Sequence, residues 1–252
     1  MVDRDLDRAN RAQLRTEFTR AAQGFSDRTK GRFDDMDVVS FAGWQPSETV
    51  MEVGAGTGNF LSLFKRASLL LGIDAVPGML ARAQGHYPDL LVAAGDGRCL
   101  PLPPNSFDLV ACAQMLHHEH RPLEVLMEMK RVMRPSGRLL VIDQVASEKF
   151  EEAIAMNELD FLRDPSHASS RPPSAFRVLF NLAGLSIIDE RRWEGTQRLS
   201  QWMWKGEFPE DRIGRVHEFV VTRGTETGMD WQADGDDYIY TRRRIMLLAT
   251  KD

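Results

Sequence analysis

Cysteine is scarce in this chain: two in 252 residues, Cys99 and Cys112. Neither stands at a metal-ligand spacing, so a disulfide framework and a cysteine-built metal site are both excluded, and the two thiols read as reduced packing residues. An excess of positive charge is also missing. With 32 Lys and Arg against 37 Asp and Glu, the formal net charge is -5, and no basic stripe marks a nucleic-acid surface. No apolar run approaches membrane-spanning length, and residues 1–10 are charged throughout where a secretory signal would be apolar. These absences lead to the expectation of a cytoplasmic protein with no membrane span, no nucleic-acid partner and no metal. The length suits one α/β domain with room for a cap or insertion.

Glycine is present where it counts. Val50-Met-Glu-Val-Gly-Ala-Gly-Thr-Gly-Asn-Phe-Leu reads as a strand that enters a glycine-packed turn and leaves as a helical pattern. Gly54, Gly56 and Gly58 permit positive φ and close approach of a ligand to the backbone. Their spacing is GxGxG, and Asn59 after Gly58 breaks the GxGxxG dinucleotide fingerprint. Pyrophosphate is therefore not the expected ligand, and a nicotinamide dehydrogenase is disfavoured.

Further strands follow, several ending in an acid or a polar turn. Ser68-Leu-Leu-Leu-Gly-Ile-Asp74 closes on an acid twenty residues after Gly54, placed to accept from the hydroxyls of a ribose. Leu90 to Ala94 leads into Gly95-Asp96-Gly97-Arg98, where Asp96 is placed to accept from the exocyclic amine of an adenine. Ser106 to Ala113 opens into Gln114-Met-Leu-His117-His118.

The spacing predicts helices over Asn59–Ala67, after Pro77, after Pro122 and over Ser174–Leu182. In the third of these, Val125, Met129, Val132 and Met133 form a core-facing stripe. Strands are expected at Gly137–Asp143, Leu185–Asp189 and Arg244–Ala249. Strands alternating with helices imply a mainly parallel sheet covered on both faces.

The ordered set VMEVGAGTG, GIDAVPGML, GDGRCLPLPPNSFDLV, LHHEHRP and EMKRVMRPSGRLLVIDQ resembles the class I S-adenosylmethionine-dependent methyltransferases, in the small-molecule branch that includes the quinone and menaquinone methylases. Asn157-Glu-Leu-Asp-Phe-Leu-Arg-Asp-Pro-Ser-His167 extends the likeness to about residue 190. The resemblance implies a Rossmann-like sheet of seven strands with the last inserted antiparallel. It also implies S-adenosylmethionine as cofactor.

By the same resemblance, Gly54, Gly56 and Gly58 bring backbone to the methionyl and ribose region, Asp74 with Ala75 and Met79 surrounds the ribose side, and Asp96, Gly97 and Arg98 flank the adenine. Glu52 positions the amino group and Gln114 lies near the sulfonium end. From the residues alone, Glu52 could instead cap or bridge backbone groups at its strand end, and Arg98 could be a solvated side chain.

The expected partner is a small-molecule methyl acceptor, with a homodimer left open. Residues 1–45 form an N-terminal helical cap, which covers the cofactor or lies as an amphipathic helix on the sheet edge. Residues 46–252 form the methyltransferase domain, with a cofactor-binding half at 46–147. Segments 148–173 and 193–237 are expected at the acceptor site. The second holds Trp202, Trp204, Phe208, Phe219 and Trp231, which either wall an apolar pocket or form the private core of a small cap.

His117 and His118 are the candidate general bases, needed only if the acceptor must lose a proton; the other reading is that they orient the loop. His167 is a weaker candidate, in a turn whose Asp164 and Ser166 can bond their own backbone. The expected activity is methyl transfer to oxygen or carbon of an aromatic, quinone-like or secondary-metabolite acceptor. The alternative is a protein of the same fold that binds S-adenosylmethionine without transferring methyl.

Overall fold

A computed structural model describes residues 2–203 and 208–251, with side chains described except at 2–7 and 23. Trp204 lies outside the described residues. In chain order the elements are α1 (Val2–Thr29), α2 (Val38–Phe41), β1 (Thr49–Val53), β2 (Leu69–Asp74), α3 (Pro77–His86), β3 (Leu91–Ala94), β4 (Phe107–Ala113), α4 (Pro122–Val132) and β5 (Met133–Gln144). There follow α5 (Phe150–Arg163), α6 (Pro173–Leu182), β6 (Leu185–Arg198), α7 (Leu199–Trp202), α8 (Glu210–Arg223), β7 (Gln232–Asp234) and β8 (Asp237–Lys251).

The sheet runs β3-β2-β1-β4-β5-β8-β6, with β7 paired to β8 off this path. Strands β1 to β5 are parallel, and β8 is inserted antiparallel between β5 and β6. This is the Rossmann-like arrangement that the resemblance implies. The order reverses between β1 and β4, where open α/β sheets bind ligands at the carboxyl edge.

Alternation along the strands divides the core in two. Met51, Val53, Val110, Cys112, Leu139, Val141, Ile245 and Leu247 join the α4 stripe of Val125, Met129 and Val132 on one face. Val50, Leu109, Ala111, Leu140, Ile142, Met246 and Leu248 meet Phe33, Phe41, Phe60 and Phe64 on the other. Pro77 and Pro122 each occupy the first turn of their helix, where a missing N–H breaks no bond. Among the described residues, no helix is long and apolar enough to cross a membrane.

Three expectations are corrected. The helix expected over Asn59–Ala67 is a 3-10 turn, Leu61–Phe64. The Ser62 hydroxyl takes the Asn59 carbonyl at 2.8 Å, and Leu63 N–H instead reaches Phe60. A side chain thus competes with the helical ladder. The outer strands also run further than their apolar stretches, β6 to Arg198 and β8 from Asp237. Their outer ends pair with each other as an antiparallel ladder beyond the parallel sheet, from Trp193↔Arg244 to Arg198↔Ile239. Strand β5 begins at Met133 and is irregular where Phe107 pairs with Met133 and Leu109 with Arg138.

Candidate functional site

The site begins at the turn after β1. Gly54 and Ala55 N–H both donate to the Ile73 carbonyl, at 2.8 and 3.1 Å, which ties the glycine loop to the end of β2. Asp74 braces the loop from below: Oδ2 accepts from Gly56 N–H and Oδ1 from Val76 N–H, both at 2.8 Å. Gly54 has φ +76°, and a Cβ there would stand 2.4 Å from Met115 Cγ. Only glycine fits both the conformation and the space.

Three acids gather on this edge. Glu52 is 1% exposed, and its Oε2 is buried without a hydrogen-bond partner among the described residues. Burial, then the neighbouring charge of Asp74, pushes its carboxyl well above the ordinary carboxylate range. Asp74 is raised by burial, against the opposing backbone N–H groups of Gly56, Val76 and Ala75. Asp96 behaves in the opposite way. Burial acts to raise it, but the Arg11 guanidinium and Arg98 N–H outweigh that and hold it at about 2.

A cleft enclosing about 1110 Å³, partly continuous with solvent, opens over these groups. Glu52, Gly54, Gly56, Asp74, Ala75, Met79, Asp96, Gly97, Gln114 and His118 all line it. Gly58 and Arg98 stand just behind. A Cβ on Gly58 would meet Leu90 Cδ1 at 2.7 Å, so this glycine serves packing between loop and α3 region, and Arg98 turns its Nε toward Asp96 at 3.4 Å. Helix α1 covers the cleft with Arg11, Leu14, Arg15, Phe18 and Phe25.

The donor set fits S-adenosylmethionine. Buried Glu52 and half-buried Asp74 are acids whose charged form a ligand carrying an ammonium and a sulfonium would favour, and the unpartnered Glu52 Oε2 and Gln114 Nε2 each need a polar partner. A pyrophosphate has no comparable match beside Glu52 and Asp74.

A second cleft adjoins the first. Its wall includes Glu17, Arg20, His117, Gln144, Arg163, Asp164, Gln197, Trp202, Phe208, Arg242 and Arg244. Phe18, Phe25, Arg32, Gln114 and His118 belong to both clefts. Gln114 sits at this junction with φ +55°, uncommon for a residue with a Cβ.

His117 and His118 follow β4 and face different partners. His117 Nδ1 is 2.6 Å from Asp143 Oδ1, and its N–H donates to Oδ2 at 3.0 Å. Burial, then His118 and His167, holds the His117 ring well below the ordinary histidine range. Asp143 is fully buried and pushed up to about 6 by that burial. His118 Nδ1 lies 3.1 Å from the Ser166 carbonyl and 3.2 Å from its hydroxyl, and Phe18 meets its ring edge-on at 5.0 Å.

His167 is drawn away from both clefts. Its Nε2 lies 2.9 Å from Asn157 Oδ1, the oxygen that also accepts Ser170 N–H at 2.6 Å. Behind the second cleft, Gln144 Nε2 donates to Asp160 and Ser170 at 3.0 and 2.6 Å, and Arg242 bonds Gln144 Oε1. The Asn157-to-His167 segment thus contributes Arg163 and Asp164 to the wall and a polar network to its support.

The described aromatic residues of the 193–237 segment pack mainly into a core of their own. Trp231 stacks on Tyr240 at 4.4 Å, Trp202 lies 5.4 Å from Tyr240, and Phe219 joins the same core with Met156 and Leu159. Trp202 and Phe208 also reach the second cleft.

Sequence reasoning missed Arg11, Phe18, Arg32 and Asp143. The last had a signal, since an acid ending a buried parallel strand stands on the ligand edge. Arg11 had none, because its partner Asp96 is 85 residues away.

Comparison with known proteins agrees with this geometry. A family model described as a methyltransferase domain matches residues 51–141. YcgJ of Bacillus subtilis, an uncharacterized methyltransferase, is 27% identical over 80% of this chain and 83% of its own. Its crystal structure superposes with a TM-score of 0.79 at 22% identity, covering 85% of this chain and 97% of that one. The demethylmenaquinone methyltransferase of Renibacterium salmoninarum is 32% identical over 66% of this chain and 68% of its own. The chain therefore belongs to the class I S-adenosylmethionine-dependent methyltransferases, within the small-molecule family related to demethylmenaquinone methyltransferase, and S-adenosylmethionine is its cofactor.

Proposed function

We propose that this enzyme moves the methyl group to oxygen or carbon of a small organic acceptor, with the cofactor in the first cleft and the acceptor in the second. The observation that carries this reading is the junction: Phe18, Phe25, Arg32, Gln114 and His118 line both spaces. A methyl group can pass between the clefts without crossing bulk water.

S-adenosylmethionine supplies, when bound, a methyl group already activated on sulfur. What remains for the chain is alignment, dryness and a route for a proton. Asp74 accepts from the ribose hydroxyls while its bonds to Gly56 and Val76 N–H hold the loop. Glu52 holds the amino group, Asp96 with Gly97 and Arg98 flanks the adenine, and Ala75 and Met79 pack beside the nucleoside. Gly54 and Gly56 bring backbone to the methionyl part, Gly58 lets the loop close on its neighbours, and Gln114 stands at the methyl-bearing end.

On the acceptor side, Asp143 accepts the His117 Nδ1–H. That leaves Nε2 with its lone pair free to take a hydroxyl or acidic carbon proton. His118, held by Ser166, positions the acceptor at the junction. Segments 148–173 and 193–237 contribute Arg163, Asp164, Trp202 and Phe208 to the acceptor wall.

The test is incubation with methyl-labelled S-adenosylmethionine and a panel of phenols, quinones and enols, read by mass spectrometry. S-adenosylhomocysteine appearing together with an acceptor that gains one label on oxygen or carbon supports the reading. Binding without methyl loss across the panel favours the non-methylating alternative, and a label on nitrogen contradicts the assigned atom.

A further inference from the structure

The wall of the second cleft carries five arginines, Arg20, Arg32, Arg163, Arg242 and Arg244, against two carboxylates, Glu17 and Asp164. Most of these charges are already engaged. Glu17 is held by Arg20 and by Arg212, the latter at 3.0 Å, and Asp164 accepts from Ser166 N–H and hydroxyl at 2.9 and 2.6 Å. Arg163 donates to the Trp202 carbonyl at 3.2 Å, and Arg242 reaches Gln144 and, at 3.5 Å, Asp160.

Arg32 and Arg244 are different. Among the described residues, neither side chain makes an ion pair, and each rests on an aromatic face: Arg32 lies 5.9 Å from the Phe25 ring centroid and Arg244 4.7 Å from that of Trp193. Arg244 is only 4% exposed, and its Nε is buried without a hydrogen-bond partner among the described residues.

The sequence pattern explains how it comes to be there. Tyr240, Arg242, Arg244, Met246 and Leu248 alternate along β8 and share one face. Arg244 pairs with Gln144, the last residue of β5. The stripe therefore changes from apolar to cationic where the sheet reaches its ligand edge.

We propose that the methyl acceptor carries a carboxylate on a flat apolar body, and that Arg32 and Arg244 grip that carboxylate. This rests on the reading of the second cleft as the acceptor site. A guanidinium set among other arginines without a direct ion pair is costly, more so for buried Arg244 than for half-buried Arg32, and an anion between them relieves both desolvation and mutual repulsion. The strain is visible in the arginines themselves. Burial, then Arg244, Arg163 and Arg242, lowers Arg32 to about 9, and burial, then Arg242, lowers Arg244 to about 10 against the weaker opposing pull of Tyr240, Asp35 and Asp143. A guanidinium fork matches a carboxylate in two parallel hydrogen bonds. Phe18, Phe25, Trp202 and Phe208 on the same wall favour an aryl acid over a bare inorganic anion.

The test uses the full chain loaded with S-adenosylhomocysteine, with loading measured by calorimetry on the same sample. Titration with 2-naphthoate, 2-naphthamide and inorganic phosphate is followed through the ¹⁵N-resolved Nε–H signals of the arginines, with Arg32→Lys and Arg244→Lys assigning them. The expected result is a saturable shift of both signals by naphthoate and none by naphthamide. Arg244→Met and Arg32→Met should each weaken naphthoate binding by about tenfold or more. Arg32 is half-buried, so its variant decides the matter if Arg244→Met fails to fold.

An equal response to the amide, or phosphate binding without naphthoate binding, overturns the proposal. If S-adenosylhomocysteine does not bind, the reading of the first cleft falls instead. The naphthoate response of the unloaded protein then still decides whether these arginines hold a carboxylate.

Discussion

His117 Nδ1 and Asp143 Oδ1 lie 2.6 Å apart, and the second oxygen of the same carboxylate receives the His117 backbone N–H. One buried acid at the end of β5 therefore fixes the ring and the main chain that follows β4. A carboxylate on Nδ1 sets the tautomer and leaves Nε2 as the basic nitrogen, the arrangement seen wherever an oriented imidazole takes a proton.

His117→Ala should lower kcat by about 10²- to 10⁴-fold, the usual contribution of a positioned base, while S-adenosylhomocysteine affinity stays unchanged. Unaltered turnover would return His117 to an orienting role.

The pH profile gives a separate check. A general base works when neutral, and burial with the neighbouring histidines favours neutral His117. The neutral form is lost only as pH falls through a folded pKa that lies below the ordinary 6.5. The acid limb of kcat against pH should therefore fall below pH 6.5. An acid limb above that value contradicts the dyad.

His167 makes a prediction about stability. Burial holds its folded pKa at about 4, whereas the unfolded ring titrates at 6.5. Between those values the unfolded state binds more protons, so this group's contribution is intact above about pH 6.5 and is lost as pH falls toward about 4. The full loss is at most about 3 kcal/mol by linkage. Urea midpoints at pH 7.5 and pH 5.0 should differ less in His167→Gln than in the wild type. Asp143, raised to about 6 from 3.8, acts with the opposite sign in the same window and is common to both proteins. An unchanged pH dependence in the variant would contradict the assignment.

Trp231 lines neither cleft but stacks on Tyr240 within the core formed by α5, α8 and the β8 hairpin. Trp231→Ala should cost about 3 kcal/mol of stability, toward the low end for such a truncation because the ring is only half-buried. Cofactor affinity should hold. Denaturant unfolding beside calorimetry separates the two, and a large loss of affinity at full stability would contradict a core role.

What could be read in advance was what the chain encodes locally. Asp74 ends an apolar run beside glycine, and Gly54, Gly56 and Gly58 crowd one turn, so strand, loop and acid are legible within a few residues. That β1 to β5 run parallel was legible from the alternation of strands with helices along the chain. The Arg11 to Asp96 pair and the Arg32 to Arg244 neighbourhood were not legible, because only packing brings segments that far apart together. The antiparallel pair of β6 and β8 was shortened in the reading for a related reason. Its outer half is rich in arginine and other polar residues, and its buried Tyr240 packs in a core supplied largely by other segments. The helix at Asn59 was not legible as a short turn because the Ser26 carbonyl and the Thr29 and Tyr87 hydroxyls fix the Asn59 side chain from outside its own segment.

The most direct test of the two-cleft account is calorimetric titration of the wild type and Asp74→Ala with S-adenosylhomocysteine. Asp74 braces Gly56 and, in the proposed reading, would offer its remaining lone pairs to the ribose, where hydrogen bonds to an ionised acceptor contribute about 1.5–3 kcal/mol each. The account predicts one-to-one binding by the wild type and affinity at least about tenfold weaker in the variant. No binding by the wild type, or equal affinity in both, would contradict it.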